Sequence, residues 1–349
     1  MAFGTGLKGN DLQMETLTVN IKCSGSTTTL LKDVTLTLRQ GSTLGLVGES
    51  GCGKSMLCRA ILGLLPRGAY YGEHSGVFYK GKNLAAASSK DWQTIRGSDI
   101  SMIFQNPSSV LNPVIPIGKQ IEEVLKKFGA KSRLSRHELK TNVGELLRAV
   151  GISDAHERAG YYPHQLSGGM CQRVAIAIAL AARPSFLLAD EPTTALDMTI
   201  QADILALLDK IKNATGMGML LVSHDLGVVA DHCDEVAVMY DGRIIEMAPS
   251  LQLFKSPRHP YTANLVKAVT ALEEPTIPLP SIAPRGNVPP QKEGSSPQGC
   301  AYAPRCEKVS AKCWSEQPEL KAPTTNFRGL VRCFYPLLGS QARGGENVD

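Results

Sequence analysis

Apolar and polar residues alternate near the N-terminus, as they do in β-strands that bury only one face. Leu17, Val19 and Ile21 form one alternating series, and Leu36 and Leu38 belong to a second series after a Ser- and Thr-rich turn. The pattern predicts strands on both sides of this turn.

Short segments further along the chain are apolar at nearly every position, which is typical of strands that are buried on both faces. These segments are 43–47, 102–104, 186–189, 219–223 and 236–240. Helical periodicity separates them: strong helices are predicted at 54–65 and 167–182, and a more polar helical segment at 121–150. Strands that alternate with helices predict an α/β fold with a mostly parallel sheet and an inserted helical subdomain at about 106–182.

The composition changes abruptly after Ala271. Seven prolines lie between Pro275 and Pro297 without apolar periodicity, which predicts an extended linker at about 272–298. Four of the nine cysteines then gather in a tail at about 299–335. We therefore predict one main domain at 1–260 and a C-terminal extension at 261–349.

The bulk composition is that of an ordinary globular protein, with 43% hydrophobic and 20% charged residues. The net charge of +5 is small and the basic residues are scattered, so a nucleic-acid-binding surface is not indicated. The N-terminus lacks the features of a secretory signal, and the longest apolar stretch, 174–182, is far below the ~20 residues that span a bilayer. We therefore expect a soluble protein whose membrane role, if any, depends on a partner.

Segment 48–55 has the form GxxxxGK[ST] and directly follows a predicted strand. Glycines let backbone N–H groups surround a polyphosphate, and the helix that begins near Lys54 directs the positive end of its dipole toward it. Lys54 offers a charge to the phosphates, and Ser55 offers a hydroxyl to Mg²⁺. The predicted nucleotide-binding residues of this loop are Gly48, Glu49, Ser50, Gly51, Cys52, Gly53, Lys54 and Ser55.

Two acids end the apolar segment 186–189. Asp190 can reach the shell of a Mg²⁺ ion at the phosphate loop, and Glu191 is the candidate for polarising the attacking water. A solvated acid at a strand end would be the simpler interpretation of Glu191 alone. The segment Asp190-Glu191-Pro192-Thr193 favours the catalytic interpretation.

A third segment, Leu166-Ser167-Gly168-Gly169, lies between the phosphate loop and the two acids, with Ser167 24 residues before Glu191. The Ser167 hydroxyl and the amides of Gly168 and Gly169 form a helix terminus that can bind an anion. An ordinary helix N-cap is the simpler alternative, and the position of the segment relative to the other two argues against it.

With these three segments in this order, the chain resembles the ATP-binding cassette (ABC) ATPases. The resemblance implies a RecA-like P-loop NTPase core, an N-terminal antiparallel β subdomain, and ATP and Mg²⁺ as cofactors. It also implies that Ser167, Gly168 and Gly169 complete the ATP site of a second ATPase subunit, which is either a paralogue or a copy of this chain. The segment Ala195-Leu196-Asp197 resembles the loop that contacts that subunit, which assigns Asp197 to the same site.

The same resemblance assigns two further residues to the site. Gln105 resembles the glutamine that senses Mg²⁺ and water, and His224 resembles the histidine that contacts the γ-phosphate; a lone histidine after a strand would otherwise be structural. The chain departs from the family in one respect, because an N-terminal aromatic residue that stacks on adenine is not evident. Ile21 and Cys23 occupy the corresponding neighbourhood.

The segment Pro257-Arg258-His259-Pro260-Tyr261-Thr262, called the HPYT segment after its last four residues, resembles the dipeptide, oligopeptide and nickel importer branch of the family. The resemblance implies an ATP-hydrolysing subunit of an importer for peptides or a related small solute, with a nickel or metal-chelate importer as the alternative. The implied partners are two transmembrane permease subunits and an extracytoplasmic substrate-binding protein. The implied location is the cytoplasmic face of the bacterial inner membrane, where the protein is peripheral.

Nine cysteines in a chain without a visible secretory signal indicate reduced thiols or metal ligands rather than disulfides. Cys300, Cys306, Cys313 and Cys333 resemble the four cysteines that hold a [4Fe–4S] cluster in the extension of dipeptide and oligopeptide importer ATPases. Their gaps of five, six and nineteen residues match no zinc ribbon or ferredoxin pattern. Zinc and free thiols therefore stay open beside the cluster.

Three other classes of protein compete with the importer subunit. Soluble ABC ATPases that act on nucleic acid usually carry two cassettes or a basic face, and neither feature is seen. A P-loop GTPase is not indicated, because the chain has no Asn-Lys-x-Asp segment. A redox-sensing module with a degenerate ATPase is disfavoured by the intact Lys54, Glu191 and His224.

Overall fold

The structure is a computed structural model that describes residues 10–23, 25–128, 134–194, 196–273, 298–324 and 327–338. The strands are β1 (Leu12–Cys23), β2 (Ser26–Leu38), β3 (Thr43–Val47), β4 (Ala69–Tyr71), β5 (Gly76–Tyr79), β6 (Lys82–Asn83), β7 (Ile100–Ile103), β8 (Phe186–Asp190), β9 (Gly218–Val222), β10 (Glu235–Tyr240), β11 (Arg243–Pro249) and β12 (Leu330–Val331). The helices are α1 (Lys54–Ile61), α2 (Ser89–Ile95), α3 (Pro107–Val110), α4 (Ile117–Phe128), α5 (Arg136–Ala149), α6 (Ala155–Arg158), α7 (Gly168–Leu180), α8 (Met198–Thr215), α9 (Leu226–His232), α10 (Ser250–Lys255), α11 (Pro260–Glu273) and α12 (Ala311–Ser315).

The N-terminal strands form an antiparallel sheet in the order β2-β1-β5-β6, with β4 paired to the other side of β1. Leu17 and Val19 are fully buried, and Leu36 and Leu38 are nearly so, as the alternation predicts. Ile21 is only half-buried, because it lies close to the end of the long β1–β2 hairpin. The predicted antiparallel β subdomain is confirmed.

The second sheet has the order β12-β11-β10-β3-β9-β8-β7. Strands β10, β3, β9, β8 and β7 are parallel neighbours, and β11 and β12 add an antiparallel edge. Strands β3, β8 and β9 are buried along their whole length, which explains their unbroken apolar sequences. The predicted, mostly parallel α/β sheet is therefore confirmed.

Helices α3 to α7 lie between β7 and β8 in the chain and form the inserted helical subdomain. Its core includes Ile117 and Ile121 of α4, Leu139 and Val143 of α5, and Val174 of α7. The polar segment predicted at 121–150 is thus two amphipathic helices, which bury one face each.

Some predicted helix ends are wrong. The helix after the phosphate loop ends at Ile61 rather than at 65, because Gly63 adopts a φ of 63° and the chain turns there. Helix α11 (Pro260–Glu273) extends through 272 and 273, which were assigned to the linker. Most of the predicted linker, 274–297, lies outside the described residues, and the domain boundaries stay a prediction.

The described part of the extension packs against the main sheet. Strand β12 pairs with β11, and the buried Arg332 donates to the carbonyl of Ile244 and forms an ion pair with Asp33 at 3.1 Å. No helix among the described residues is long and apolar enough to cross a bilayer.

The HPYT segment is anchored by a buried carboxyl group of β11. The backbone N–H groups of Arg258 and His259 donate to Glu246 at 2.7 and 2.8 Å, and the N–H of Tyr261 donates to Nδ1 of His259 at 3.0 Å. Burial raises the pKa of Glu246 to about 7 and lowers the pKa of His259 to about 3. Both side chains are therefore neutral over much of the acidic range.

The two shifted groups predict a particular pH dependence of stability. Between about pH 4.5 and 6.5, the folded chain protonates Glu246 and the unfolded chain protonates His259, so the bound protons balance. In a His259→Asn variant the folded chain still binds the Glu246 proton, but the unfolded chain no longer binds a matching proton at residue 259. Stability should then rise by up to ~1.4 kcal/mol per unit as pH falls from 7 to 4.5.

Thermal unfolding of the variant and the parent across this pH range measures the difference. The matched control is His137→Asn, at an exposed histidine of α5, which should leave the profile of the parent unchanged. An identical pH profile for His259→Asn and the parent would contradict the assigned protonation states.

Candidate nucleotide site

The phosphate loop connects the end of β3 to the start of α1. Gly48 is required by its surroundings, because a Cβ atom there would lie 2.2 Å from the carbonyl oxygen of Met239. Gly53 precedes α1 with a φ of 112°, which only glycine adopts readily. The buried Lys54 donates from Nζ to the carbonyl oxygens of Gly48 and Glu49 at 2.8 and 3.0 Å. The loop therefore has the backbone conformation and the charge that a polyphosphate needs.

Ser55 and Asp190 meet at the carboxyl end of the sheet. The Ser55 hydroxyl donates to Oδ1 of Asp190 at 3.0 Å. Burial raises the pKa of Asp190, and the hydrogen bond from Ser55 opposes this shift. A hydroxyl and a carboxylate in contact beside a phosphate loop are oxygen ligands of the kind that Mg²⁺ binds.

Glu191 is held by polar neighbours directly after β8. Nε2 of Gln105 donates to its Oε2 at 2.8 Å, and the Thr194 hydroxyl donates to the same oxygen at 2.9 Å. Nδ1 of His224 lies 3.7 Å from that oxygen, and the His224 side chain is 67% exposed. Glu191 itself adopts a φ of 48°, which is uncommon for a residue other than glycine. These contacts aim one carboxylate oxygen into the site.

The loop, Gln105 and Glu191 surround one open cleft of about 310 Å³. The lining residues are Leu30, Ser50, Gly51, Gly53, Lys54, Ser55, Met56, Gln105 and Glu191. The structure thus brings together the phosphate loop and the candidate catalytic carboxylate. Such a cleft can bind a nucleoside triphosphate and place a water molecule beside Glu191.

Asp190 and His224 do not line this cleft, but they contact Ser55 and Glu191, which do. Four other predicted residues lie at the N-terminal ends of helices and do not line it either. Ser167 caps α7 by accepting the N–H of Met170 at 3.3 Å, and Asp197 caps α8 by accepting the N–H of Ile200 at 2.9 Å. Ser167, Gly168 and Asp197 are exposed, whereas Gly169 is buried. None of the four is among the residues that line the cleft in the described part of the chain.

Met56, which lines the cleft directly after Ser55, was not predicted from the sequence, nor were four residues from other segments that contact the site. Leu30 lines the cleft, and Thr194 binds Glu191. The Tyr261 hydroxyl accepts the N–H of Glu49 at 2.9 Å, and Arg305 donates two hydrogen bonds to the carboxylate of Glu49. Of these four, only Thr194 had a local signal, since it follows the two acids closely. The other three come from segments whose proximity the linear pattern does not reveal.

The four cysteines of the extension surround a second, small cavity behind the HPYT segment. Cys300, Cys306, Cys313 and Cys333 all line it, together with His259 and Tyr302. Burial raises the pKa of Cys306 to about 11 and that of Cys333 to about 12, and the neighbouring cysteines add to both shifts. Among the described residues, no group of three or more potential ligands forms a ready site for a single metal ion.

The comparisons with known proteins agree with this geometry. Residues 31–194 match the family of ABC transporters, and residues 245–313 match the C-terminal region of oligopeptide/dipeptide transporters. A putative peptide import ATP-binding protein of Brucella abortus is 46% identical over 297 residues, which cover 83% of this chain and 87% of the relative. The dipeptide transport ATP-binding protein DppD of Bacillus subtilis is 41% identical over 302 residues, or 86% and 88% of the two chains.

Solved structures show the same fold. The dimeric post-hydrolysis structure of the ATP-binding cassette MJ0796 with ADP and phosphate superposes with a TM-score of 0.61 at 28% identity, and covers 68% of this chain and 98% of that chain. CbiO1 of Clostridium perfringens, part of an ABC transporter complex, gives 0.59 at 27% identity, with 76% and 95% covered. The fold and the site define an ABC-type ATPase. The chain belongs to the ABC transporter family of ATP-binding proteins, in the group that carries the oligopeptide/dipeptide C-terminal region.

Proposed function

We propose that this chain is the ATP-hydrolysing subunit of an ABC importer for dipeptides or oligopeptides. The observation that carries the proposal is the joint presence of a nucleotide cleft and the oligopeptide/dipeptide C-terminal region in one chain. The two relatives described above are named for peptide import and match over more than four-fifths of this chain. Neither name favours a nickel importer or a nucleic-acid ATPase.

In the proposed reaction, Lys54 and the loop amides would bind the β- and γ-phosphates, and Ser55, Asp190 and Gln105 would hold Mg²⁺. Glu191 polarises the attacking water, and Gln105 and Thr194 fix the orientation of its carboxylate. His224 is close enough to Glu191 to contact the γ-phosphate beside it. Mg²⁺ supplies charge neutralisation at the phosphates when it is bound.

The remaining predicted residues serve the partners. Ser167, Gly168 and Gly169 form a helix terminus away from the cleft of their own chain, and we assign them, with Asp197, to the ATP site of a second ATPase subunit. Import also requires two permease subunits in the membrane and an extracytoplasmic substrate-binding protein. The chain then works at the cytoplasmic face of the bacterial inner membrane.

We also propose that Cys300, Cys306, Cys313 and Cys333 hold a [4Fe–4S] cluster. The donor set fits, because all four side chains line one cavity. A bound cluster would cross-link the extension through iron–thiolate bonds.

The role of Glu191 is tested by a Glu191→Gln variant. The amide keeps the size of the side chain and cannot act as a base, so ATP should bind with unchanged affinity and hydrolysis should fall by at least 10²-fold. Steady-state ATPase assays and nucleotide titrations of the assembled transporter measure both quantities. Hydrolysis near the parent rate would reject the assignment.

The transport function is tested in proteoliposomes that contain this chain, its permease subunits and its partner ATPase. A peptide-loaded binding protein should stimulate ATP hydrolysis and drive peptide accumulation in the vesicles. The Glu191→Gln complex is the control, since it should assemble normally and accumulate nothing. Uptake of a nickel chelate in place of peptides, or failure to co-purify with the permease subunits, would refute the proposal.

The cluster is tested on protein that is purified under anaerobic conditions. About four iron atoms and four acid-labile sulfides per chain are expected, with Cys306→Ser and Cys333→Ser losing most of both. The control Cys23→Ser, at an exposed cysteine of the N-terminal hairpin, should retain them. Zinc without sulfide, or no metal at all, would contradict the proposal.

A further inference from the structure

We propose that the C-terminal extension positions the phosphate loop, and that Arg305 and Tyr261 are positioning residues for ATP binding that act through Glu49. The inference rests on the proposed nucleotide site and is independent of the transported solute. It starts from one residue of the loop, Glu49, which the extension and α11 hold at two different points.

The first point is the Glu49 carboxylate. Nη1 and Nη2 of Arg305 donate to Oε2 and Oε1 of Glu49 at 2.9 and 2.8 Å. Two parallel hydrogen bonds between a planar guanidinium and a carboxylate fix orientation as well as distance. The two residues are 256 positions apart in the sequence, so this contact forms only when the extension packs on the cassette.

The second point is the Glu49 backbone. Its N–H donates to the hydroxyl of Tyr261, which is 212 positions away and only 2% exposed. Tyr261 is itself fixed, because its own N–H donates to His259. The first turn of the phosphate loop is thus tied to a rigid, buried part of the fold.

A cluster of tyrosine rings joins the two contacts. The rings of Tyr240, Tyr261 and Tyr302 pack edge to face, with centroids 4.7, 5.3 and 5.4 Å apart. The guanidinium of Arg305 lies 5.9 Å from the Tyr240 centroid and 5.8 Å from that of Tyr302. Contact with two rings limits the rotamers of Arg305. The guanidinium N–H groups are therefore already oriented to donate to Glu49.

The position of Arg305 depends in turn on the cysteine-lined cavity. Arg305 ends a short 3₁₀ turn, Ala303–Arg305, which lies between Cys300 and Cys306. Both cysteines line the cavity, as does Tyr302. The segment 300–306 therefore contains both cysteines of the cavity and the guanidinium that contacts the phosphate loop.

This arrangement affects binding rather than the chemical step. Neither Arg305 nor Tyr261 lines the cleft, and both contact the phosphate loop at Glu49. A loop that is already held in shape loses less conformational freedom when ATP binds. Release of Glu49 should therefore weaken ATP binding and leave the hydrolysis rate of bound ATP nearly unchanged.

The test compares Arg305→Gln, Glu49→Gln and the double variant in the assembled transporter. Each single variant should raise the KM for ATP by about 3- to 10-fold with kcat within about two-fold. The double variant should match the single variants, because both remove the same contact. The Kd for ATP, titrated in a Glu191→Gln background without turnover, should shift by the same factor.

Two further variants separate positioning from a purely structural role. Arg305→Lys keeps the charge and should restore part of the affinity, and Tyr261→Phe keeps the ring cluster and should weaken ATP binding in the same direction. Lys321→Gln is the matched control, since it removes an exposed ion pair of the same extension with Glu319 at 3.8 Å. It should leave KM and kcat unchanged.

The outcomes distinguish this inference from the proposed function. A parent transporter that binds no ATP would refute the nucleotide site itself. If the parent binds ATP and Arg305→Gln leaves both KM and Kd unchanged, the positioning role is wrong. It is also wrong if Arg305→Gln and Glu49→Gln are additive, or if the affinity loss merely follows a lower melting temperature of the nucleotide-free protein.

Discussion

The candidate site depends on four parallel strands that are neighbours in the order β3-β9-β8-β7. Their carboxyl ends lie at one edge of the sheet, so the residues at the end of each strand, or directly after it, form one part of the site. The phosphate loop follows β3, His224 follows β9, and Gln105 follows β7. Asp190 ends β8, and Glu191 comes directly after it. A register change in any of these strands would separate the loop from its carboxylates.

Most of this core could be predicted from the sequence because its signals are local. Strands buried on both faces have unbroken apolar sequences, and a phosphate loop needs glycines and a lysine at fixed spacing. Helix ends were less predictable. At Gly63 the backbone φ, rather than the apolar periodicity, ends the helix, so residues 62–65 of the apolar pattern lie outside it.

The contacts that the sequence could not reveal are long-range. Arg305 lies between two cysteines, and this position alone suggests a role in the cysteine cavity rather than at a loop 256 residues away. Leu30 lines the cleft from β2, although its own segment is only an unremarkable strand. The sequence gaps between the cysteines do not predict their arrangement in space either. The four thiols line one cavity only because the extension packs in this way.

The polar groups of the site bond one another, and this constrains how a nucleotide binds. Lys54 donates to loop carbonyls, Ser55 to Asp190, and Gln105 to Glu191. In the proposed site, phosphate and Mg²⁺ would replace several of these hydrogen bonds rather than add to them, so the net gain from each polar contact would be small. Affinity then depends strongly on how little the loop must reorganise. The hydrogen bonds from Arg305 to Glu49 connect the cysteine-lined segment directly to the phosphate loop. Through this contact, the extension can limit how much the loop reorganises when a nucleotide binds.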